Sequence, residues 1–206
     1  MKKTASDSDL LKVIPKIEAV LDPGFTPAAL VMREYRRAVA ASKTRIPLLI
    51  AVERNGGLVT HFTMDIFAPG SPQDGATARI IERTVKFLLW ARGGFKVYFG
   101  GPAALGEPIQ KAYAKGGARQ FDIELMERVY GKPFEVVITD PARIPAQRES
   151  LCAVGGHLDG HRIGFDLGAS DYKISAVSNG ECVFTTELPW NPAVEPDPAY
   201  HHARLT

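Results

Sequence analysis

Cysteine is scarce in this sequence, and its scarcity sets the first limits. Cys152 and Cys182 are the two thiols among 206 residues. Neither has a second cysteine at short spacing, which excludes a disulfide framework and a thiolate zinc site. Two free, buried thiols are expected. Long apolar runs are also missing. The most hydrophobic stretches, Ile46 to Val52 and Val85 to Ala91, fall well short of the ~20 residues a membrane-spanning helix needs. The amino terminus, MKKTASDSDLLKVIPK, has two lysines but no apolar segment of the kind found in a secretory leader. A cytoplasmic protein is expected. There is no excess of one charge either: the net charge of +2 supplies no field to gather nucleic acid or anionic lipid. No helix-turn-helix signature with a basic recognition helix is present, and Arg33, Arg36 and Arg37, next to Glu34, read as a small solvated face.

What the chain does contain is the balance of a globular protein, 45% hydrophobic and 23% charged. Residues 1–45 read as a helical amino-terminal extension. Leu10, Leu11, Ile14, Ile17 and Val20 are spaced as on a helix, Asp22-Pro23-Gly24 breaks the run, and Met32, Tyr35 and Val39 begin a second one. Residues 46–140 read as a layered α/β domain. Ile46 to Glu53 and Leu58 to Phe67 are strands joined at Asn55-Gly56-Gly57, a strong hairpin signal. Ala76 to Arg92 is a helix closed by Gly93-Gly94, and Phe95 to Phe99 is a strand. Helices near Ala104 to Lys115 and Asp122 to Tyr130 precede a strand from Phe134 to Thr139.

Residues 141–161 have the composition of a linker, and residues 162–206 hold three strands, Arg162 to Leu167, Tyr172 to Val177 and Glu181 to Leu188. After Trp190 a proline-rich tail is expected to end without another element, with His201 and His202 disordered. His157 and His161 flank Gly160 in the linker, so they share no helical face as a metal pair. A three-stranded meander buries too little to stand alone. Either the chain is truncated, or the meander completes the sheet of the preceding domain.

Two segments could carry chemistry. In Ile163-Gly-Phe-Asp166-Leu-Gly168-Ala169-Ser170-Asp171-Tyr-Lys173, a carboxylate ends a strand and a glycine opens the turn. Backbone N–H groups of such a turn can converge on a phosphate while the carboxylate holds Mg2+, and Ser170 can add a hydroxyl. The competing reading is a plain hairpin with a polar turn. In Val97-Tyr-Phe-Gly100-Gly101-Pro, a strand, two glycines and a helix start make a geometry that can hold an anion or let a nucleotide lie on the backbone. Close packing alone would also call for those glycines.

"GFDLGASDYKISAVSNGECVF" resembles the first phosphate motif of the acetate and sugar kinase, Hsc70 and actin superfamily, and is most similar to the ROK family (repressor, open reading frame, kinase). "TTELPWNP" and "DPAYHH" resemble the segment after that motif in long ROK-type proteins, and "KVYFGGP", "GGARQFDIELMERVYGKPFEV" and "HLDGHRIGFD" resemble the extension that precedes it. The resemblance implies that residues 162–206 begin a ribonuclease H-like, actin-like ATPase domain. By it, Asp166 would lie beside Mg2+ and ATP, Gly168, Ala169 and Ser170 would form the phosphate loop, Lys173 would assist, and Gly100 and Gly101 would resemble the superfamily's adenosine motif. Where the family has Gly-Thr, this chain has Ala169-Ser170 and then Asp171, a carboxylate that repels a triphosphate unless Mg2+ or Lys173 offsets it.

The family's catalytic base, sugar contacts and zinc site lie beyond the first hairpin, so none is located here. The expected protein is the amino-terminal part of an ATP-dependent sugar kinase-like chain, with a sugar as substrate or effector of the full-length protein. A homodimer is the most assembly expected, and neither nucleic acid nor membrane is a partner. A noncatalytic sugar-sensing regulator of the same fold and a self-contained α/β interaction module are the alternatives.

Overall fold

A computed structural model describes residues 10–150 and 155–205. The chain divides into two compact units, Met1–Ser150 and Leu151–Thr206.

The first unit runs α1 (Ala28–Ala41), β1 (Arg45–Arg54), β2 (Leu58–Phe67), α2 (Asp74–Arg92), β3 (Lys96–Gly100), α3 (Ala103–Ala112), α4 (Gln120–Tyr130) and β4 (Glu135–Ile138). Its sheet has the order β2-β1-β3-β4. β1 is antiparallel to both β2 and β3, and β3 and β4 are parallel. The β1–β2 reversal uses the expected glycines, with Gly56 and Gly57 at φ 74° and 70°. A parallel pair needs a long crossover, and α3 and α4 supply it between β3 and β4. Alternation along β1 sorts its two faces: Leu48, Ile50 and Val52 join the main core with Val31, Tyr35 and Val39 of α1 and Ile80, Ile81, Val85 and Leu89 of α2. On the opposite face, Ala51 packs with Val59 and Ile144.

Two expectations fail in this unit. Residues 11–27 contain no helix: Pro15, Pro23 and Pro27 interrupt the helix-like spacing, and Ile14, Ile17, Val20 and Leu21 are all more than 80% exposed. Residues 141–150 are not a linker but the closing piece of the unit. Ile144 is buried on Ala51 and Val59, and Val59 exchanges two backbone hydrogen bonds with Arg148 (2.8 and 2.9 Å) along the outer edge of β2. The His61 ring N–H donates to the Pro145 carbonyl (2.7 Å). An open strand edge presents unpaired backbone groups, and this segment covers part of it.

The second unit is an antiparallel meander, β5 (His161–Leu167), β6 (Asp171–Ser178) and β7 (Glu181–Pro189), followed by α5 (Pro198–Leu205). Its strands form a separate three-stranded sheet, so the meander does not complete the first one. Helix α5 corrects the expectation of a tail without structure. Asp197 starts it by accepting from the Ala199 N–H (2.9 Å), and Pro198 occupies the first position, where no N–H is needed. His201 packs edge-on against Trp190 (5.8 Å). Cys182 is free but exposed, not buried as expected, and Cys152 lies outside the described residues.

Register divides the meander into two unlike faces. Cross-strand rows Leu167–Tyr172–Leu188, Phe165–Ile174–Thr186 and Ile163–Ala176–Phe184 share one face, and Asp166–Lys173–Glu187 and Gly164–Ser175–Thr185 share the other. Tyr172 is buried, but Ile163, Phe165, Leu167 and Phe184 each remain more than half exposed. The molecule is mixed α/β, with a mixed four-stranded sheet and a three-stranded antiparallel one. No helix among the described residues is long and apolar enough to cross a membrane.

Candidate functional site

The charged face of the meander ends at the bend between β5 and β6. Asp166 is the next-to-last residue of β5, opposite Lys173 of β6. It is exposed, and its carboxylate has no hydrogen-bond or ion-pair partner among the described residues. The chain then turns through Gly168, Ala169 and Ser170. The Gly168 N–H donates to the Asp171 carbonyl (2.9 Å), so that amide is spent inside the turn. A side chain at position 168 would press its Cβ on the same carbonyl oxygen at 2.9 Å, which explains the glycine without any need for positive φ. The Ala169 and Ser170 amides hydrogen-bond to nothing among the described residues, and both residues are exposed.

Three further contacts fix the bend. The Ser170 hydroxyl donates to Asp171 (2.9 Å), so it is held by that carboxylate. Trp190, just past β7, donates its indole N–H to the Gly168 carbonyl (2.7 Å) and its backbone N–H to the Ser170 carbonyl (3.0 Å). Its ring packs on Tyr172 at 5.3 Å. Both carbonyls are thereby bonded to Trp190. Sequence reasoning missed Trp190 as the clamp. The signal was the lone tryptophan in Pro189-Trp190-Asn191-Pro192, placed beside the turn once β7 pairs with β6 in register.

Lys173 answers the charge of Asp171. Its ammonium lies 2.6 Å from Asp171 and 3.6 Å from Glu187. The hydrogen bond from Lys173, supported by that from Ser170, holds the Asp171 carboxyl below the usual aspartate range, and the same bond raises the Lys173 ammonium. Asp171 is therefore ionised but locally neutralised, while Asp166 feels the same ammonium only at longer range and makes no hydrogen bond or close ion pair among the described residues.

Gly100 and Gly101 belong to the first unit and are explained by packing. A Cβ at Gly100 would meet Ile144 Cδ1 at 2.7 Å and the Leu49 carbonyl oxygen at 3.2 Å, and one at Gly101 would meet Leu48 Cδ1 at 2.6 Å. Gly100 is buried at the end of β3. Helix α3 starts just after them, with Pro102 as its N-cap and no side-chain cap.

Among the described residues, no group of three or more His, Cys, Asp or Glu side chains could hold a metal ion by itself. Mg2+ does not require such a cage, because it commonly takes one or two carboxylates and completes its shell with water and phosphate oxygens. A free carboxylate beside open amides fits that mode of binding. No protein-family model matches the sequence, and no curated protein matches it.

Proposed function

We propose that the β5–β6 bend is the nucleotide-phosphate hairpin of a ROK-type, ATP-dependent sugar kinase-like protein. In this reading the second unit opens a ribonuclease H-like, actin-like ATPase domain of a cytoplasmic protein. The sugar contacts and the catalytic base lie outside these 206 residues. The observation that carries the reading is an exposed Asp166 carboxylate that makes no hydrogen bond or close ion pair among the described residues, on the same bend as the Ala169 and Ser170 amides, which are also unbonded among them.

The donor set assigns distinct tasks to each group. Ala169 and Ser170 offer N–H groups to phosphate oxygens, as a backbone nest does. Asp166 would hold Mg2+ directly or through water, and the ion would supply neutralisation of the phosphate charge. Lys173 keeps Asp171 from repelling the ligand, and Trp190 prevents the two turn carbonyls from facing it. Phosphoryl transfer depends on positioning acceptor and donor in line. A phosphate hairpin without a base binds nucleotide but does not turn it over.

Equilibrium titration with a fluorescent ATP analogue tests the reading. Binding should require Mg2+ and weaken by about tenfold or more in Asp166→Asn, because a charge-assisted metal contact is lost. Equal binding by Asp166→Asn and the parent chain would remove the hairpin's assignment. The isolated chain should also show no ATP-dependent phosphorylation of glucose or N-acetylmannosamine, and robust turnover of either would place a catalytic base within it.

A further inference from the structure

Helix α5 has eight residues and none of them is buried. An isolated helix of that length is unstable in water, so its order depends on the few groups it touches. Tyr200 and His201 supply those contacts, and both reach back to the residues that follow β7. The Tyr200 hydroxyl accepts from the Asn191 N–H (3.4 Å), and the His201 ring stands edge-on to Trp190 at 5.8 Å. His201 is itself oriented: its ring N–H donates to the Glu195 carbonyl (3.0 Å), and the Tyr200 ring lies edge-on to it at 5.5 Å.

Trp190 joins this helix to the bend. Its ring is contacted by Tyr172 of β6 and by His201 of α5, while its indole N–H donates to the Gly168 carbonyl (2.7 Å). That bond holds only in the rotamer the two rings support. The Gly168 carbonyl and the Ala169 N–H belong to one planar trans peptide and point in opposite directions, so fixing the carbonyl fixes the amide. Tyr172 is part of the sheet, and His201 is the contact that α5 adds. We infer that docking of α5 on Trp190 is coupled to phosphate binding at the bend, through the Gly168–Ala169 peptide. This coupling rests on the assignment of the bend to metal-bound nucleotide and gives that site a regulatory element. His201 is a positioning residue that acts through Trp190. By linkage, bound nucleotide stabilises the docked helix by the same factor by which the docked helix strengthens binding.

Hydrogen exchange and nucleotide titration of the full chain test the coupling. ATP with Mg2+ should slow exchange at the His202 to Leu205 amides of the parent chain by about fivefold or more, and His201→Ala should weaken a fluorescent ATP analogue by a similar factor. His201→Ala should also speed exchange of the Trp190 indole N–H. His201→Phe, which keeps a ring against Trp190, should restore both the indole protection and the affinity. A parent chain that binds no nucleotide would overturn the hairpin's assignment and this coupling with it. Binding by the parent chain with α5 exchange unchanged, full binding by His201→Ala, or no restoration by His201→Phe would overturn the coupling alone. The exchange measurement on the parent chain needs no substitution, so it remains decisive even where His201→Ala unfolds α5.

Discussion

Glu149 accepts hydrogen bonds from the Thr60 hydroxyl and the Arg54 guanidinium, and these bonds, Thr60's foremost, hold its carboxyl below the usual glutamate range. A carboxyl with a depressed folded pKa adds stability above its unfolded pKa of about 4.3 and loses that contribution as pH falls through the folded value. Glu149→Gln should therefore lower stability by about 1 kcal/mol near neutral pH. The deficit should fade in acid below the folded pKa, as read from urea midpoints at both conditions. A deficit that persisted in acid would assign the contribution to packing instead. At this scale the sequence was informative where the chemistry is local. Asp166 and Gly168 lie two residues apart on one bend, and their juxtaposition survives any tertiary arrangement. Trp190 was not legible, because its bond to Gly168 spans 22 positions and depends on how β7 pairs with β6. Glu149 was hidden for the same reason, since its partners are on β1 and β2.

Elements meet through a few polar contacts set in apolar surroundings. Asp122, the third residue of α4, is buried and accepts from Lys86 (3.1 and 3.2 Å) and the Trp90 indole (2.8 Å), both on α2. Asp122→Ala would leave both donors without their acceptor and should cost about 2 kcal/mol, measured by chemical denaturation. Gly93, which ends α2, has φ 71° and ψ 175°, a region nearly closed to other residues, and an added Cβ would overlap the Tyr130 hydroxyl. Gly93→Ala should cost about 1–3 kcal/mol, and a neutral outcome would mean that the backbone can leave that region freely. Periodicity and turn residues made α1, α2, the β1–β2 hairpin and the meander readable. They failed at residues 11–27, where apolar spacing suggested a helix but the prolines interrupt it. They also failed at residues 141–150, where one buried isoleucine and two backbone bonds anchor a segment with no repeating pattern. The short α5 was masked by the prolines around it, although Asp197-Pro198 is itself a helix start.

The whole chain combines a first unit with a continuous buried core and a second whose sheet keeps much of its apolar face exposed. Stability scales with buried apolar area, so the two should open with different ease. Backbone amides of β1 and β3 should exchange with deuterium far more slowly than those of β5 and β7, and equal protection would contradict the burial difference. The candidate site lies in the second unit, on a bend that Trp190 holds even though the sheet around it is thinly covered. Titration of the isotopically labelled chain with ATP, monitored by amide resonances with and without Mg2+, tests the central claim most directly. The Ala169 and Ser170 amides should shift with ATP when Mg2+ is present and much less without it. Unchanged resonances at both positions with millimolar ATP and Mg2+ would contradict the assignment of this bend to metal-bound phosphate.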